Sequence, residues 1–155
     1  MKSVPKSSSS YEKNSISFLM QYLADIFFLY LKTHNYHINV TGMHFYSLHK
    51  FFEDQYKEWF ENIDATAERI RTQGATVSYN YSTLKKLTQL NEVSEILTEK
   101  EMLKDLLKDN QTMIQQIKKM LPLVNEIDPV SADFLIEKQE HHEKTVWMLQ
   151  SHLES

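Results

Sequence analysis

Two histidines and three acids, His37, His49, Glu53, Asp64 and Glu68, lie in one stretch with types and spacing that could hold a metal ion. The chain has no cysteine, which excludes thiolate metal sites, disulfides and thiol nucleophiles. A metal here takes imidazole, carboxylate and water, donors suited to iron, manganese or zinc rather than to copper(I) or iron–sulfur clusters. Neutral imidazoles and carboxylates with open positions suit Fe(II) and its oxidation, because carboxylates stabilise the Fe(III) product.

Spacing divides these five residues into two groups. Thr41 and Gly42 break one helix, and a second opens between Met43 and Tyr46. His37 lies six residues before Met43 and His49 six after it. In an antiparallel hairpin, residues equidistant from the bend sit at similar height, so the two imidazoles can face each other. Glu53 follows His49 by four, one turn along the same face, and these three make a half-site. Asp64 and Glu68 are another pair four apart, but fifteen residues at ~1.5 Å each put Asp64 roughly 22 Å beyond His49. They cannot bind the same ion in one chain. Either they are a solvated acidic face, or a second copy runs antiparallel alongside and brings them to the first copy's histidines. The latter is a two-fold contact with two equivalent sites. A plain hydrogen-bonded pair of His49 with Glu53 is the simpler alternative for that half. The chain has no Glu-x-x-His, so the inward-facing di-iron arrangement of ordinary four-helix carboxylate proteins is excluded.

The elements that position these residues are helices. Gly 2 and Pro 3 are too few for a strand-rich fold. Phe18, Leu19, Tyr22, Leu23, Ile26, Phe27, Tyr30 and Leu31 step by three and four along a first helix, capped by Ser15 or Ser17 and running to about Val40. Phe45, Leu48, Phe52, Tyr56, Trp59 or Phe60, Ile63, Ala67 and Ile70 stripe a second helix, with Gly74 as its left-handed cap. Phe51 and the second member of the Trp59–Phe60 pair fall off that stripe and suit a subunit contact. A connection from Ala75 to Glu95 can carry a short helix over Ser82 to Gln89, capped by Ser82. Thr98 and Glu101 form a capping box for a third long helix, which Pro122 ends or nearly ends. Asp128-Pro129 marks a turn, and Ser131 starts a fourth long helix ending near Leu153. The expected fold is all-α: a four-helix bundle with a short extra helix in the crossover between helices two and three.

At 155 residues the chain is one domain with room for a real core. Residues 1–14 read as a mobile Ser-rich tail carrying Lys2, Lys6 and Lys13, and residues 15–155 as the bundle domain. Net charge is −4 and pI ≈ 6.0, which argues against the whole surface being a nucleic-acid footprint. The N-terminus lacks a secretory apolar region, and the longest apolar run, Ile26 to Leu31, is too short for a bilayer. A soluble cytoplasmic protein with no membrane partner is expected.

The run N-Y-H-I-N-V-T-G-M-H-F-Y-S-L-H-K-F-F-E (Asn35 to Glu53), followed by I-D-A-T-A-E-R-I (Ile63 to Ile70), resembles the signature of the Dps mini-ferritins, the DNA-binding proteins from starved cells. D-P-V-S-A-D-F-L (Asp128 to Leu135) and E-K-T-V-W-M-L (Glu143 to Leu149) add to the resemblance, which covers the chain after the tail. It implies a ferritin-like bundle assembled as a hollow dodecamer of two-fold dimers. It implies a ferroxidase that oxidises iron as Fe(II), preferably with hydrogen peroxide, and stores ferric mineral. The ferroxidase ligands then fall on His37, His49 and Glu53, with Asp64 and Glu68 from the partner subunit. Glu53 stands where the family more often has Asp, and Ile38 where a Trp often follows the first histidine; Trp147 is the remaining aromatic for that role. Acidic three-fold pores would use Asp128 and Asp133 with Glu126; the plain alternative is a turn acid and a first-turn acid. Some members bind DNA through Lys-rich tails, a role that Lys2, Lys6 and Lys13 could play with nucleoid association. The alternative function is a non-enzymatic DNA-condensing protein with a vestigial iron site. His34, His44, His141, His142 and His152 read as structural or surface residues.

Overall fold

The computed structural model describes residues 10–93 and 95–154. Four long helices and one short one follow in order: α1 (Ser10–Asn39), α2 (Phe45–Thr72), α3 (Tyr81–Leu87), α4 (Glu99–Ile127) and α5 (Pro129–Leu153). There is no strand among the described residues. α1 packs chiefly on α2 and α4 on α5, α1 also meets α4, and α3 lies on α1. No described helix is long and apolar enough to cross a membrane.

The core follows the three-and-four spacing. Leu19, Leu23 and Ile26 of α1, Phe52, Trp59 and Ile63 of α2, Leu106, Met113 and Ile117 of α4, and Leu135 and Leu149 of α5 are buried together. The ambiguity in α2 resolves cleanly: Trp59 is 1% exposed and Phe60 57%, so Trp59 belongs to the core and Phe60 to a second face. Phe45, expected on the core stripe, is exposed. It stands at the first residue of α2, beyond the reach of the bundle, and lays its ring on His49 instead.

Helix ends carry their expected chemistry, with four corrections. Thr98 and Glu101 make the reciprocal capping box: Glu101 N–H donates to the Thr98 hydroxyl at 3.2 Å and Thr98 N–H to the Glu101 carboxylate at 2.8 Å. Gly74 has φ +86, the left-handed conformation that suits glycine at a helix end. The short helix is capped by Asn80, whose side chain accepts from Thr83 N–H, rather than by Ser82. Pro122 does not end the third long helix, which continues to Ile127. Pro122 and Lys118, whose carbonyl it leaves without a helical donor, are both exposed. Water can therefore serve that carbonyl, while buried Val124 anchors the turn beyond. The last helix starts at Pro129 rather than Ser131, because Asp128 is the cap and Ser131 N–H donates to it at 3.3 Å. Finally, α1 begins at Ser10, ahead of the Ser15 or Ser17 cap; no Gly or Pro interrupts residues 10–14, so helix propagates through them. Of the expected tail, residues 1–9, including Lys2 and Lys6, lie outside the described residues, as does the Lys13 side chain.

Candidate metal centre at the hairpin bend

The bend between α1 and α2 brings His37 and His49 face to face, as counting outward from Met43 predicts. Their rings stack with centroids 3.9 Å apart and an 18° interplanar angle. Each Nδ1 hydrogen-bonds the other residue's backbone carbonyl: His37 Nδ1 to His49 O at 2.7 Å, and His49 Nδ1 to His37 O at 2.8 Å. A carbonyl only accepts, so both Nδ1 atoms carry the proton. In the neutral ring this tautomer leaves the Nε2 lone pair for a metal, the arrangement in which a second hydrogen bond orients a ligating imidazole. Phe45 stacks on His49 at 5.1 Å, and Tyr56 meets His37 edge-on at 5.1 Å. Tyr56 also lies 4.4 Å from the His34 ring. Gly42, at φ +115, makes the bend. Glu99 at the start of α4 fastens it, accepting from His44 Nδ1 at 2.7 Å and from His44 N–H at 3.4 Å. The His44 contact holds the Glu99 carboxyl below the ordinary range.

Glu53 is one turn beyond His49 but does not bond it. Its oxygens accept from Lys57 Nζ at 2.7 Å and Lys50 Nζ at 3.0 Å. The hydrogen bonds from Lys57 and then Lys50 hold its carboxyl at about 2. The intrahelical His49–Glu53 pair is therefore absent from this structure. Sequence reasoning missed both lysines, although their offsets of three and four residues from Glu53 are a readable signal. It also passed over Tyr56 as an aromatic neighbour of His37. Asp64 and Glu68 lie further along α2 and are exposed. Among the described residues, no three His, Asp or Glu of one chain converge to hold a metal. The donor chemistry of the histidine pair fits iron, and the set needs further carboxylates to be complete.

The remaining candidates are accounted for individually. Asp128 is tied into the fold: Arg69 Nη2 donates to its Oδ2 at 3.1 Å and Oδ1 at 3.3 Å, and the Ser131 hydroxyl is its third partner. Burial alone would raise the Asp128 carboxyl, but the Ser131 and Arg69 contacts outweigh that and lower it. Glu126, Asp133 and Trp147 are exposed. His142 is fully buried, with Nε2 2.9 Å from the Tyr22 hydroxyl and Nδ1 2.7 Å from Asn110 Oδ1. His141 meets Glu58 at 2.6 Å, and the His152 ring lies 4.6 Å from Phe51.

Comparison with known proteins accords with this frame. The ferritin-like domain family model matches residues 16–155. The DNA protection during starvation protein 2 of Bacillus anthracis is 32% identical over 91% of this chain and 97% of its own length. A Dps protein structure from Bacillus brevis superposes with a TM-score of 0.93 at 29% identity, covering 96% of this chain and 100% of the other. A Vibrio cholerae Dps structure, described as a member of a broad superfamily of ferritin-like diiron-carboxylate proteins, has a TM-score of 0.91 at 25% identity, covering 99% and 100%. With five helices among the described residues in the expected order and a family match over residues 16–155, the chain belongs to the Dps mini-ferritins of the ferritin-like family.

Proposed function

We propose that this chain is an iron-sequestering ferroxidase. Its sites lie between two-fold-related subunits of a hollow, dodecameric shell, with hydrogen peroxide as oxidant and ferric mineral stored inside. The observation that carries the reading is the reciprocal Nδ1 clasp of His37 and His49, which leaves both Nε2 lone pairs for a metal in a donor set that one chain leaves incomplete. Asp64 and Glu68 of the partner subunit complete it, with Glu53 as the variable fifth group. Exposed Ile38, at 63%, and Phe60, at 57%, flank the two half-sites on α1 and α2 and give the second copy an apolar surface to cover.

Iron is the substrate. Two Fe(II) ions each give up one electron; the peroxide O–O bond takes both electrons with two protons and yields two waters. Delivering the pair together avoids the one-electron split that releases hydroxyl radical. The imidazoles hold Fe(II) without adding charge, and the carboxylates favour the Fe(III) product. Protection of DNA follows from removing both reactants. Exposed Glu126 and Asp133 are the acids we assign to iron entry, with Asp128 serving mainly as the cap that shapes their turn.

A His37→Ala/His49→Ala variant tests the assignment: peroxide-driven Fe(II) oxidation falls at least about tenfold while the shell stays assembled. Unchanged kinetics would sink it. Direct DNA contact is a separate property of the tail: deleting residues 1–14 should abolish a low-salt mobility shift, and full-length protein that gives no shift removes that role.

A further inference from the structure

His44 is the residue before α2, His152 lies in the last turn of α5, and Glu99 is the first residue of α4. All three line one cavity of about 200 Å³, with Leu48 and Leu153 among its apolar walls. His44 Nδ1 bonds Glu99 Oε1 at 2.7 Å, and His152 Nδ1 bonds the Met148 carbonyl at 2.9 Å. A carboxylate and a carbonyl only accept, so in the neutral rings both Nδ1 atoms carry the proton and both Nε2 atoms keep a lone pair. Among the described residues neither Nε2 has a hydrogen-bond partner. Both histidines are exposed, so nothing in the fold bars those lone pairs from solvent ions. The Phe51 ring, 4.6 Å from that of His152, backs the second imidazole.

A carboxylate on one ring nitrogen and an open lone pair on the other is the arrangement that orients a metal-ligating imidazole and raises its basicity. Glu99 is the acid of this cavity, and it is spent on His44: Oε1 accepts from Nδ1 and Oε2 from the backbone N–H at 3.4 Å. The donors left for an ion are two neutral imidazoles and water. That set suits Zn(II), and without a ligating carboxylate it does little to favour ferric iron. Lys100, the cavity's cation, is exposed and can turn its amine to water. We propose that this cavity binds one Zn(II) through His44 Nε2 and His152 Nε2, with water in the remaining positions and Glu99 as the positioning residue for His44. The bound ion ties the start of α2 to the end of α5. The site shares no residue with the His37–His49 pair, so it stands whether or not that pair handles iron.

The test is calorimetric titration of the assembled protein with Zn(II), with melting temperature measured in parallel. A His37→Ala/His49→Ala background removes the other histidine pair as a competing Zn(II) site. In that background one Zn(II) per chain depends on the cavity, and its binding raises the melting temperature. Adding His44→Ala or His152→Ala removes both that ion and the thermal shift. Glu99→Gln can still accept from His44 Nδ1 but carries no charge, and it weakens the binding about tenfold. Absence of Zn(II) binding in the His37→Ala/His49→Ala protein would overturn the proposal. Binding left unchanged by His44→Ala or by His152→Ala would overturn it too, because the ion would then lie elsewhere. Binding with no rise in melting temperature would overturn the tie between α2 and α5, and affinity unchanged in Glu99→Gln would overturn the part given to Glu99.

Discussion

At the scale of single residues, the proposed site rests on two imidazoles that hold each other. The clasp needs the His37 and His49 backbones at one height, which makes the bend residue Gly42 part of the site although it carries no side chain. Its φ of +115 is a conformation that L side chains rarely adopt, and a Cβ there would stand 3.0 Å from Glu99 Oε2. Gly74, at φ +86, has nothing within 4 Å of such a Cβ. Gly42→Ala should therefore cost about 1–3 kcal/mol of backbone strain, disturb the Glu99 clamp on His44 and slow Fe(II) oxidation. Gly74→Ala should carry a similar strain and leave oxidation unchanged. Thermal melts and oxidation rates of the two variants separate these outcomes; equal oxidation rates would show that the bend does not position the histidines. The facing histidines were legible in the sequence because the bend is local and helical rise is regular. The capture of Glu53 by Lys50 and Lys57 was legible in spacing but is one choice among several acids on α2, and only side-chain placement decides it. The partners of His142 were not legible at all, since Tyr22 and Asn110 are distant in sequence.

At the scale of elements, each long helix contributes one polar side chain to a buried network at the bundle centre. Tyr22 of α1 accepts from Asn62 Nδ2 of α2 at 2.7 Å and meets His142 of α5, which in turn meets Asn110 of α4. Trp59 stacks on His142 at 4.9 Å. These contacts satisfy groups whose burial would otherwise be costly, and they fix the four helices in one register. Burial first, and then the charges of His141 and Lys138, push the His142 imidazole down to about 3. Because its folded value lies below the ordinary 6.5, the neutral ring contributes stability above about pH 6.5 that is lost as pH falls toward 3. Asp109 opposes this below pH 6. Burial raises its carboxyl to about 6 despite Lys32 at 2.7 Å, so it favours the fold below the unfolded carboxylate value and loses that contribution as pH rises to about 6. Burial raises the Asp25 carboxyl in the same direction. The histidine loss is therefore unopposed by Asp109 only between about pH 6.5 and pH 6. The melting temperature should dip between about pH 7 and pH 6, and His142→Gln, which can still bond Tyr22 and Asn110, should remove that dip. An equally steep loss in the variant would assign the acid sensitivity to other groups. The same elements show why helix existence was easy to anticipate and helix ends were not. Pro122 reads as a stop, yet its exposed position lets α4 continue, and Asp128 rather than Ser131 opens α5.

At the scale of the whole molecule, α2 carries His49 near one end and Asp64 and Glu68 near the other, and its rise keeps the two ends from meeting in one chain. In the proposed two-fold assembly, two chains make two complete sites, each chain giving histidines to one and acids to the other. This sharing can be tested without a metal-bound structure. A His37→Ala/His49→Ala chain keeps its acids, and an Asp64→Ala/Glu68→Ala chain keeps its histidines; shells of either alone should oxidise Fe(II) slowly. In a mixed dimer, one site loses both halves, while the other receives the histidines of one chain and the acids of the other and is intact. Shells formed by random mixing of equal amounts should therefore recover about a quarter of the wild-type sites, read as the amplitude of rapid Fe(II) oxidation per chain. Within-chain sites predict no recovery on mixing, because every chain would carry a defect of its own. Unmixed shells combined after assembly provide the control, since without subunit exchange they must stay slow. Recovery in the co-assembled shells alone would locate the chemistry between subunits, as the proposed sharing of α2 expects.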